Sequence, residues 1–288
     1  MKKRTITLIA GPTASGKSDF ALKLAEKSGA SIVNADSMQV YSVLQIITAR
    51  PDNDDMMRVP HYLYGYVSPE KPYSTGQWLK DASDIIKSVE DPLIFVGGTG
   101  LYFKTLLEGM AEIPDIPANI REKWREELKK KGASALYNIL KDIDGPVARR
   151  LSEHDGQRII RALEVYEATG KPLGYWQSQK TKPVLEGEDV TKLLLMPDRN
   201  LVYRRIEDRF DKMVDNGALD EVRSLIKLGL DPSMPAMKAI GVPEFNRVLR
   251  GEDSIETAIV KAKTGTRRYA KRQMTWFRHQ LASDWKRI

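Results

Sequence analysis

Eight consecutive residues near the start of the chain have the types and spacing of a phosphate-binding loop. Two glycines separated by four residues are followed by Lys and Ser. The glycines let backbone N–H groups curl around an anion at a helix amino terminus, Lys17 adds a positive charge, and Ser18 offers a hydroxyl to Mg²⁺. The loop does not reveal whether the phosphate is transferred, hydrolysed or released as a leaving group. Its residues are Gly11, Pro12, Thr13, Ala14, Ser15, Gly16, Lys17 and Ser18.

One acidic residue follows the second apolar run of the chain. Asp36 comes directly after 31–35. At this position it could act as a general base, hydrogen-bond to a group that binds a metal, or cap the amino terminus of a helix. The apolar run 93–96 ends instead in Gly97-Gly98-Thr99, whereas a nucleotide hydrolase normally places a metal-binding Asp there. The residues alone leave the three roles of Asp36 open.

Three basic stretches could contact a polyanion. Arg158 and Arg161 lie one helical turn apart, and Arg205 and Arg209 share a helix face in the same way. Such pairs are also common on solvated or ion-paired surfaces. Between 266 and 278, basic residues alternate with aromatic ones, a composition that suits unpaired RNA but also describes a basic helix that buries its aromatics.

The elements that must position these residues alternate between strands and helices. Strands separated by helices predict the α/β class, with a P-loop NTPase-like, doubly wound parallel sheet flanked by helices. In such a sheet ligands bind at the carboxyl ends of the strands, where the loop 11–18, Asp36 and Thr99 all fall. The predicted strands are 5–10, 31–35, 92–96 and 192–196, and the predicted helices around them are 17–27, 77–89, 201–216 and 219–228.

The composition changes after Pro114-Asp115-Ile116-Pro117. From 118 to 182 the pattern is helical and heavily charged, with helices expected at 120–131, 134–143 and 157–169. The sequence therefore predicts an α-helical insertion domain over 118–182 and a catalytic core formed by 1–117 and 183–288.

The overall composition limits the function classes. A net charge of +7 favours polyanionic partners such as nucleic acid or a phosphorylated metabolite. With no Cys, a disulfide framework, a thiolate metal site and a Cys nucleophile are excluded, and three widely spaced His disfavour a histidine metal site. No run approaches the roughly 18 apolar residues of a membrane helix. We expect a cytoplasmic protein, a monomer, with no membrane partner.

Six blocks occur in the order seen in the bacterial tRNA dimethylallyltransferases, and the resemblance spans nearly the whole chain. It implies transfer of a dimethylallyl group from dimethylallyl diphosphate to N6 of the adenosine immediately 3′ of the anticodon in tRNAs, with Mg²⁺ and release of diphosphate. The insertion would then clamp the anticodon stem-loop. The blocks are 11–18, 36–41, 96–102, 157–164, 205–210 and 271–278.

The same resemblance implies a role for individual residues. The loop 11–18 would bind the donor's diphosphate, Ser18 would reach Mg²⁺, Asp36 would be the general base, and Arg209 would clamp the departing diphosphate. Thr99 would act with Asp36 on the extruded target base. The implied tRNA contacts are Asp36, Ser37, Met38, Gln39, Thr99, Arg121, Gln157, Arg158, Ile159, Ile160, Arg161, Met237, Lys238, Ala239, Ile240, Gly241 and Val242.

Three positions depart from the family pattern. Ile47 stands where members usually have Gly, Arg50 where they have Lys, and Val242 where they often have Tyr. These departures bear on loop shape and on tRNA contacts, and the effect of each stays open.

Three other functions use the same loop. A small-molecule kinase would apply it to ATP but leaves the blocks 157–161 and 271–278 unexplained. A transferase acting on free adenine nucleotide does not need the basic insertion and tail. A nucleic-acid-binding ATPase would need no base at Asp36.

Overall fold

Six parallel strands form one sheet in the part of the chain that the structure describes, a computed structural model covering residues 4–281 and 283–288. The strand order is β3-β2-β4-β1-β5-β6, and β1 lies between β4 and β5. The doubly wound, P-loop NTPase-like class predicted from the sequence is confirmed. The strands are β1 Thr5–Ala10, β2 Ser31–Asn34, β3 His61–Tyr62, β4 Leu93–Gly97, β5 Asp189–Leu194 and β6 Lys286–Arg287.

The helices follow the sequence patterns closely. α3 begins before the predicted 77–89 because Ser74 and Gln77 form a reciprocal capping box, which starts the helix at Thr75. α1 ends at Gly29, whose φ of 64° is left-handed and therefore suits glycine. The helices are α1 Lys17–Ser28, α2 Asn53–Arg58, α3 Thr75–Ser88, α4 Gly100–Glu108, α5 Ala118–Ile143, α6 Gly145–Ala148, α7 Gly156–Thr169, α8 Leu173–Gln177, α9 Arg199–Asp215, α10 Ala218–Ile226, α11 Val242–Leu249 and α12 Ile255–Gln280.

The chain divides into two compact units. The first comprises Met1–Leu107 and Leu185–Ile288, which contain the sheet, and the second is Glu108–Val184. In the first unit, one apolar cluster packs α1 on the sheet through residues such as Leu22, Ile32 and Ile94. A second apolar cluster packs the four helices α9, α10, α11 and α12 against the segment 40–47, which follows β2.

The second unit is helical throughout its regular structure. Leu136 and Leu140 of α5 and Ile159 and Leu163 of α7 are buried together in its own apolar cluster. α5 is interrupted at Gly132, whose φ of 76° and ψ of 167° are non-helical, between the two helices predicted there. The assignment of 118–182 as a tRNA-contacting domain stays a prediction. No helix within 4–281 or 283–288 is long and apolar enough to cross a membrane.

One predicted strand is displaced. The run 192–196 was expected to be the strand, but β5 is Asp189–Leu194, because Thr5 to Ala10 of β1 pair with Asp189 to Leu194 residue by residue. Pairing with the central strand thus extends β5 backward into polar residues. The apolar run 192–196 therefore predicts that a strand exists here, but gives its two ends only approximately.

Candidate active site

The phosphate-binding loop joins the carboxyl end of β1 to the amino terminus of α1. Ala14 and Gly16 have positive φ values of 60° and 87°, and these curl the backbone before Lys17 opens the helix. Lys17 is half-buried and its Nζ donates to the carbonyl of Pro12 at 3.1 Å. Burial lowers the pKa of Lys17 to about 8, an effect that nearby Asp36 opposes and nearby Arg209 adds to.

Asp36 lies at the carboxyl end of β2 in a tight turn. Asn34, fully buried, accepts from the N–H of Asp36 at 2.8 Å and donates to its carbonyl at 2.9 Å, so one amide fixes the backbone of this residue on both sides. The Oδ1 atom of Asp36 accepts from the N–H of Met38 at 2.9 Å. The carboxylate therefore caps this turn and not a helix.

Thr99 is held beside Asp36 by the glycine turn after β4. Its hydroxyl accepts from the N–H of Ser37 at 3.0 Å, and its own N–H donates to Ala35 at 3.2 Å. A Cβ on Gly97 would lie 2.0 Å from the carbonyl oxygen of Ala35, which explains why glycine follows the buried strand. The two strand ends approach each other through this contact.

Two helices from the second half of the chain complete the loop's surroundings. Arg209 of α9 donates from Nη2 to the hydroxyl of Thr13 at 2.6 Å, and Arg205 donates to the carbonyl of Ser15 at 3.1 Å. Burial lowers the pKa of Arg209, although Asp36 acts in the opposite direction. Gln273 of α12 accepts from the N–H of Thr13 at 2.8 Å and donates to the carbonyl of Gly98 at 2.8 Å.

Three of the residues described, Thr13, Asp36 and Arg209, line a cavity of about 260 Å³. They are among its polar residues, and Phe210 and Met213 are among its apolar ones. Such a mixed lining can hold an anionic group beside an apolar one. The other residues that line it are Ser37, Met38, Ile47, Thr48, Ile206, Lys238, Ala239, Ile240, Thr266, Tyr269 and Arg272.

An adjoining cavity of about 230 Å³ contains Thr99. Ser37, Tyr269 and Arg272 line both cavities, and Trp276 adds an aromatic ring to the second. Thr13 of the predicted loop, the predicted base Asp36 and the predicted clamp Arg209 thus lie around one cavity, with an aromatic cavity next to it, while Ala14 to Ser18 line a separate cavity that Arg209 also borders.

The family model described as IPP transferase matches residues 39–280. The chain belongs to the IPP transferase family. It is 57% identical to a tRNA dimethylallyltransferase of Bartonella henselae over 99% of both chains. It is also similar to the crystal structure of a tRNA isopentenylpyrophosphate transferase of Bacillus halodurans, with 30% identity, a TM-score of 0.70 and 99% and 90% of the two chains covered.

A third similar structure is that of a eukaryotic dimethylallyltransferase acting on tRNA. The identity is 28%, the TM-score is 0.81, and the match covers 98% of this chain and 71% of that one. The resemblance inferred from the six sequence blocks is confirmed.

The remaining implied site residues of this IPP transferase family member fall into two groups. Gln39 does not line the cavity but donates to the carbonyls of Thr48 and Ala49, both at 2.9 Å. Of the stretch Met237 to Val242, the middle residues Lys238, Ala239 and Ile240 line the cavity, while Val242 is buried at the start of α11.

The other implied contacts lie in the second unit. Arg121 is on α5, and on α7 Gln157 and Arg158 are exposed whereas Ile159 and Ile160 are buried in the core of that unit. Arg161 lies 3.5 Å from the carboxylate of Glu164. Their contact with tRNA stays a prediction.

Two residues of the site were not identified from the sequence. Gln273 contacts Thr13 across 260 positions of the chain, and no local pattern distinguishes its amide within the basic tail. Asn34 gave a usable signal, because a polar residue follows Ile32 and Val33 in the predicted strand two positions before Asp36. In the tail 266–278, Phe277 is buried as the helical interpretation expects, while Arg268 and Lys271 are exposed and their contact with RNA stays a prediction.

The three departures from the family pattern all have defined environments. Ile47 lines the cavity and packs over Gly241, where an added Cβ would lie 2.5 Å from its Cδ1. Arg50 donates to the carbonyls of Tyr41 and Ser42 at 3.0 and 3.3 Å and so braces its own loop.

Proposed function

We propose that this chain transfers a dimethylallyl group from dimethylallyl diphosphate to N6 of the adenosine immediately 3′ of the anticodon in tRNAs, releasing diphosphate. One observation carries the proposal: Asp36, a candidate base, and Thr13 and Arg209, candidate anion ligands, line the same cavity. The names of the relatives in the IPP transferase family support it.

The acceptor nitrogen needs a base. The lone pair of an exocyclic adenine amine is delocalised into the ring, so the amine attacks poorly unless its proton is removed as the new bond forms. Asp36 takes this proton, N6 bonds to C1 of the dimethylallyl group, and the bond from C1 to the diphosphate oxygen breaks. The diphosphate leaves with the electron pair of that bond.

The donor's diphosphate needs positive charge and N–H donors. The backbone of the loop 11–18, the ammonium of Lys17 and the guanidinium of Arg209 converge where the diphosphate would lie. Charge grows on the leaving group as the bond breaks, so groups fixed in advance around it lower the barrier. The Arg209 contact to Thr13 fixes one of these groups.

The site fits Mg²⁺ held mainly by the substrate. No group of three or more His, Cys, Asp or Glu side chains within the described ranges could hold a metal ion. Mg²⁺ is usually bound through one or two protein groups together with substrate phosphates and water. Ser18, exposed in the first turn of α1, provides such a group. When bound there, the ion would offset the charge of the leaving diphosphate.

The tRNA supplies an extruded base and a charged backbone. Asp36, Ser37, Met38 and Thr99 would surround the base, because an alkylated atom on a base must first leave the stack. Gln39 would keep this segment in place. Lys238, Ala239 and Ile240, with Met237, Gly241 and Val242 beside them, would contribute further contacts, as would Arg121 and Gln157 to Arg161 of the second unit, on the anticodon stem-loop.

Two further expectations belong to this proposal. We expect the protein to act as a monomer. An enzyme that modifies tRNA would work in the cytoplasm, where tRNA is used.

The test is incubation of the protein with unmodified tRNA, radiolabelled dimethylallyl diphosphate and Mg²⁺. We expect labelled RNA, and we expect Asp36→Asn to lower kcat by about 10² to 10⁴ while tRNA affinity changes less than about twofold. Asp84→Asn, at an exposed position of α3, is the matched control and keeps full activity. Unlabelled RNA together with ATP-dependent phosphorylation of a metabolite would sink the proposal.

A further inference from the structure

Glu221 gathers three consecutive backbone N–H groups from a distant segment. Its Oε2 accepts from Gln45 at 2.8 Å and from Ile46 at 2.7 Å, and its Oε1 accepts from Ile47 at 2.9 Å. The carboxylate lies in the first turn of α10 and is half-buried. Because both oxygens accept, the three N–H groups require an anion at this point, and hydrogen bonds to an anion are stronger than neutral ones.

The same segment is held from its carbonyl side by Gln39. The Gln39 amide donates to the carbonyls of Thr48 and Ala49, each at 2.9 Å. Ala49 has a positive φ of 51°, so the backbone between these contacts is bent as well as anchored. Glu221 thus fixes the backbone N–H groups of residues 45–47, and Gln39 fixes the carbonyl groups of Thr48 and Ala49.

This segment forms part of the cavity wall. Ile47 and Thr48 line the cavity that also contains Asp36 and Arg209. Ile47 is buried, and its side chain belongs to the apolar cluster with Phe210 and Met213. Its backbone position is set by the hydrogen bond to Glu221, since the N–H of Ile47 is one of the three donors.

We propose that Glu221 is a positioning residue for the donor: it holds Ile47 and Thr48 in place as the wall against which the dimethylallyl group packs. This inference rests on the proposed function. The diphosphate is bound by the loop 11–18 and Arg209, whereas Ile47 belongs to the apolar cluster, so Glu221 acts mainly on the apolar half of the donor. A change at Glu221 should therefore weaken binding of the dimethylallyl group while leaving binding of the diphosphate group nearly unchanged.

Replacing the carboxylate by an amide tests this assignment. In Glu221→Gln one acceptor oxygen becomes an NH₂ donor that faces backbone N–H groups, so the segment 45–47 loses its anchor while the side-chain volume stays constant. Asp220→Asn is the matched control: it makes the same chemical change one residue earlier in α10, and Asp220 is exposed and pairs with Arg223.

Binding is measured by equilibrium dialysis without tRNA, using dimethylallyl diphosphate and inorganic diphosphate as two probes. We expect Glu221→Gln to weaken binding of dimethylallyl diphosphate about tenfold and binding of inorganic diphosphate less than twofold. In steady-state assays the KM for the donor should rise by the same factor, with kcat at saturation within about threefold of the parent value. Asp220→Asn should match the parent in all three measurements.

Equal losses for both probes would overturn the assignment, because a residue that merely stabilises the fold would reduce the active fraction for every ligand alike. Unchanged binding of both probes would overturn it too. Glu221→Asp, which keeps the charge on a shorter side chain, should lie between the parent and Glu221→Gln for the donor alone. A parent protein that labels no tRNA from the radiolabelled donor would instead contradict the proposed function.

Discussion

Lys17 combines the positive charge that phosphate binding needs with a partly buried environment. Its Nζ lies 3.1 Å from the Pro12 carbonyl, and burial lowers its pKa to about 8 from 10.5. Between these two values the unfolded chain binds the proton and the folded one does not, so Lys17 makes unfolding more costly as the pH rises through this window. Below about 8 the ammonium is charged and available to the diphosphate.

The KM for dimethylallyl diphosphate should therefore increase above a pH of about 8, where free Lys17 loses its charge. Initial rates measured from mildly acidic to alkaline pH, with the donor varied and tRNA saturating, give this profile. Lys17→Arg should show a higher KM throughout but no rise at this pH, because a guanidinium stays protonated. A parent KM that stays flat while the variant's rises would contradict the role of Lys17.

Site residues can be predicted from the sequence where they are consecutive in the chain. They are predicted poorly where the site brings together residues that are far apart in the chain. The phosphate loop occupies eight consecutive positions, so its type and its place before a helix could be identified directly. Asp36 was found because it ends an apolar run, but its turn-capping geometry depends on Asn34 and Met38. Glu221 and Gln273 act on segments more than 170 positions away, which no spacing pattern encodes.

α12 is the element that joins the two strand-end loops of the site. A single amide, Gln273, contacts the phosphate loop at Thr13 and the turn after β4 at Gly98. Gln273 is buried, so neither of its hydrogen-bond partners has water as a ready replacement. The helix thereby couples the position of the diphosphate ligands to the position of Thr99.

Gln273→Ala should lower the free energy of unfolding by about 1 to 3 kcal/mol, because it leaves the Thr13 N–H and the Gly98 carbonyl unpaired in a buried place. Urea denaturation followed by circular dichroism measures this. Gln280→Ala, at the exposed end of the same helix, removes an amide oxygen that accepts from half-buried Lys104 and should change stability by less than about 0.5 kcal/mol. Equal effects of the two substitutions would show that Gln273 does not hold the two loops.

The elements themselves were predictable in proportion to their length and regularity. Strands β1, β2 and β4 and the helices α1, α3, α7 and α9 follow from apolar periodicity, whereas the sequence left the 26-residue α12 open. β3 and β6 are two residues each, too short for any periodicity, and they exist because a neighbouring strand pairs with them. The displacement of β5 has the same origin, since its register is set by β1.

At the scale of the whole molecule, the positive charge is concentrated in one helix. α12 contains seven Lys or Arg and one acidic residue, against a net charge of +7 for the entire chain. Arg267 and Lys263 are used in ion pairs with Glu207 and Asp211 of α9. Arg268 and Lys271 are exposed, and neither forms an ion pair with any residue of 4–281 or 283–288. Arg268 and Lys271 therefore leave positive charge for a polyanion on the helix that also lines both cavities through Tyr269 and Arg272.

Removing this charge should weaken tRNA binding in a salt-dependent way. For the double variant Arg268→Gln and Lys271→Gln, we expect the slope of log affinity against log salt concentration to become shallower by about 1 to 2, since each lost phosphate contact releases roughly one counterion fewer. Filter binding across a range of KCl concentrations measures the slope. Lys129→Gln with Lys141→Gln removes the same charge from exposed positions of α5 and should leave the slope unchanged. A larger effect of the α5 pair would place the dominant phosphate contacts in the second unit and not along α12.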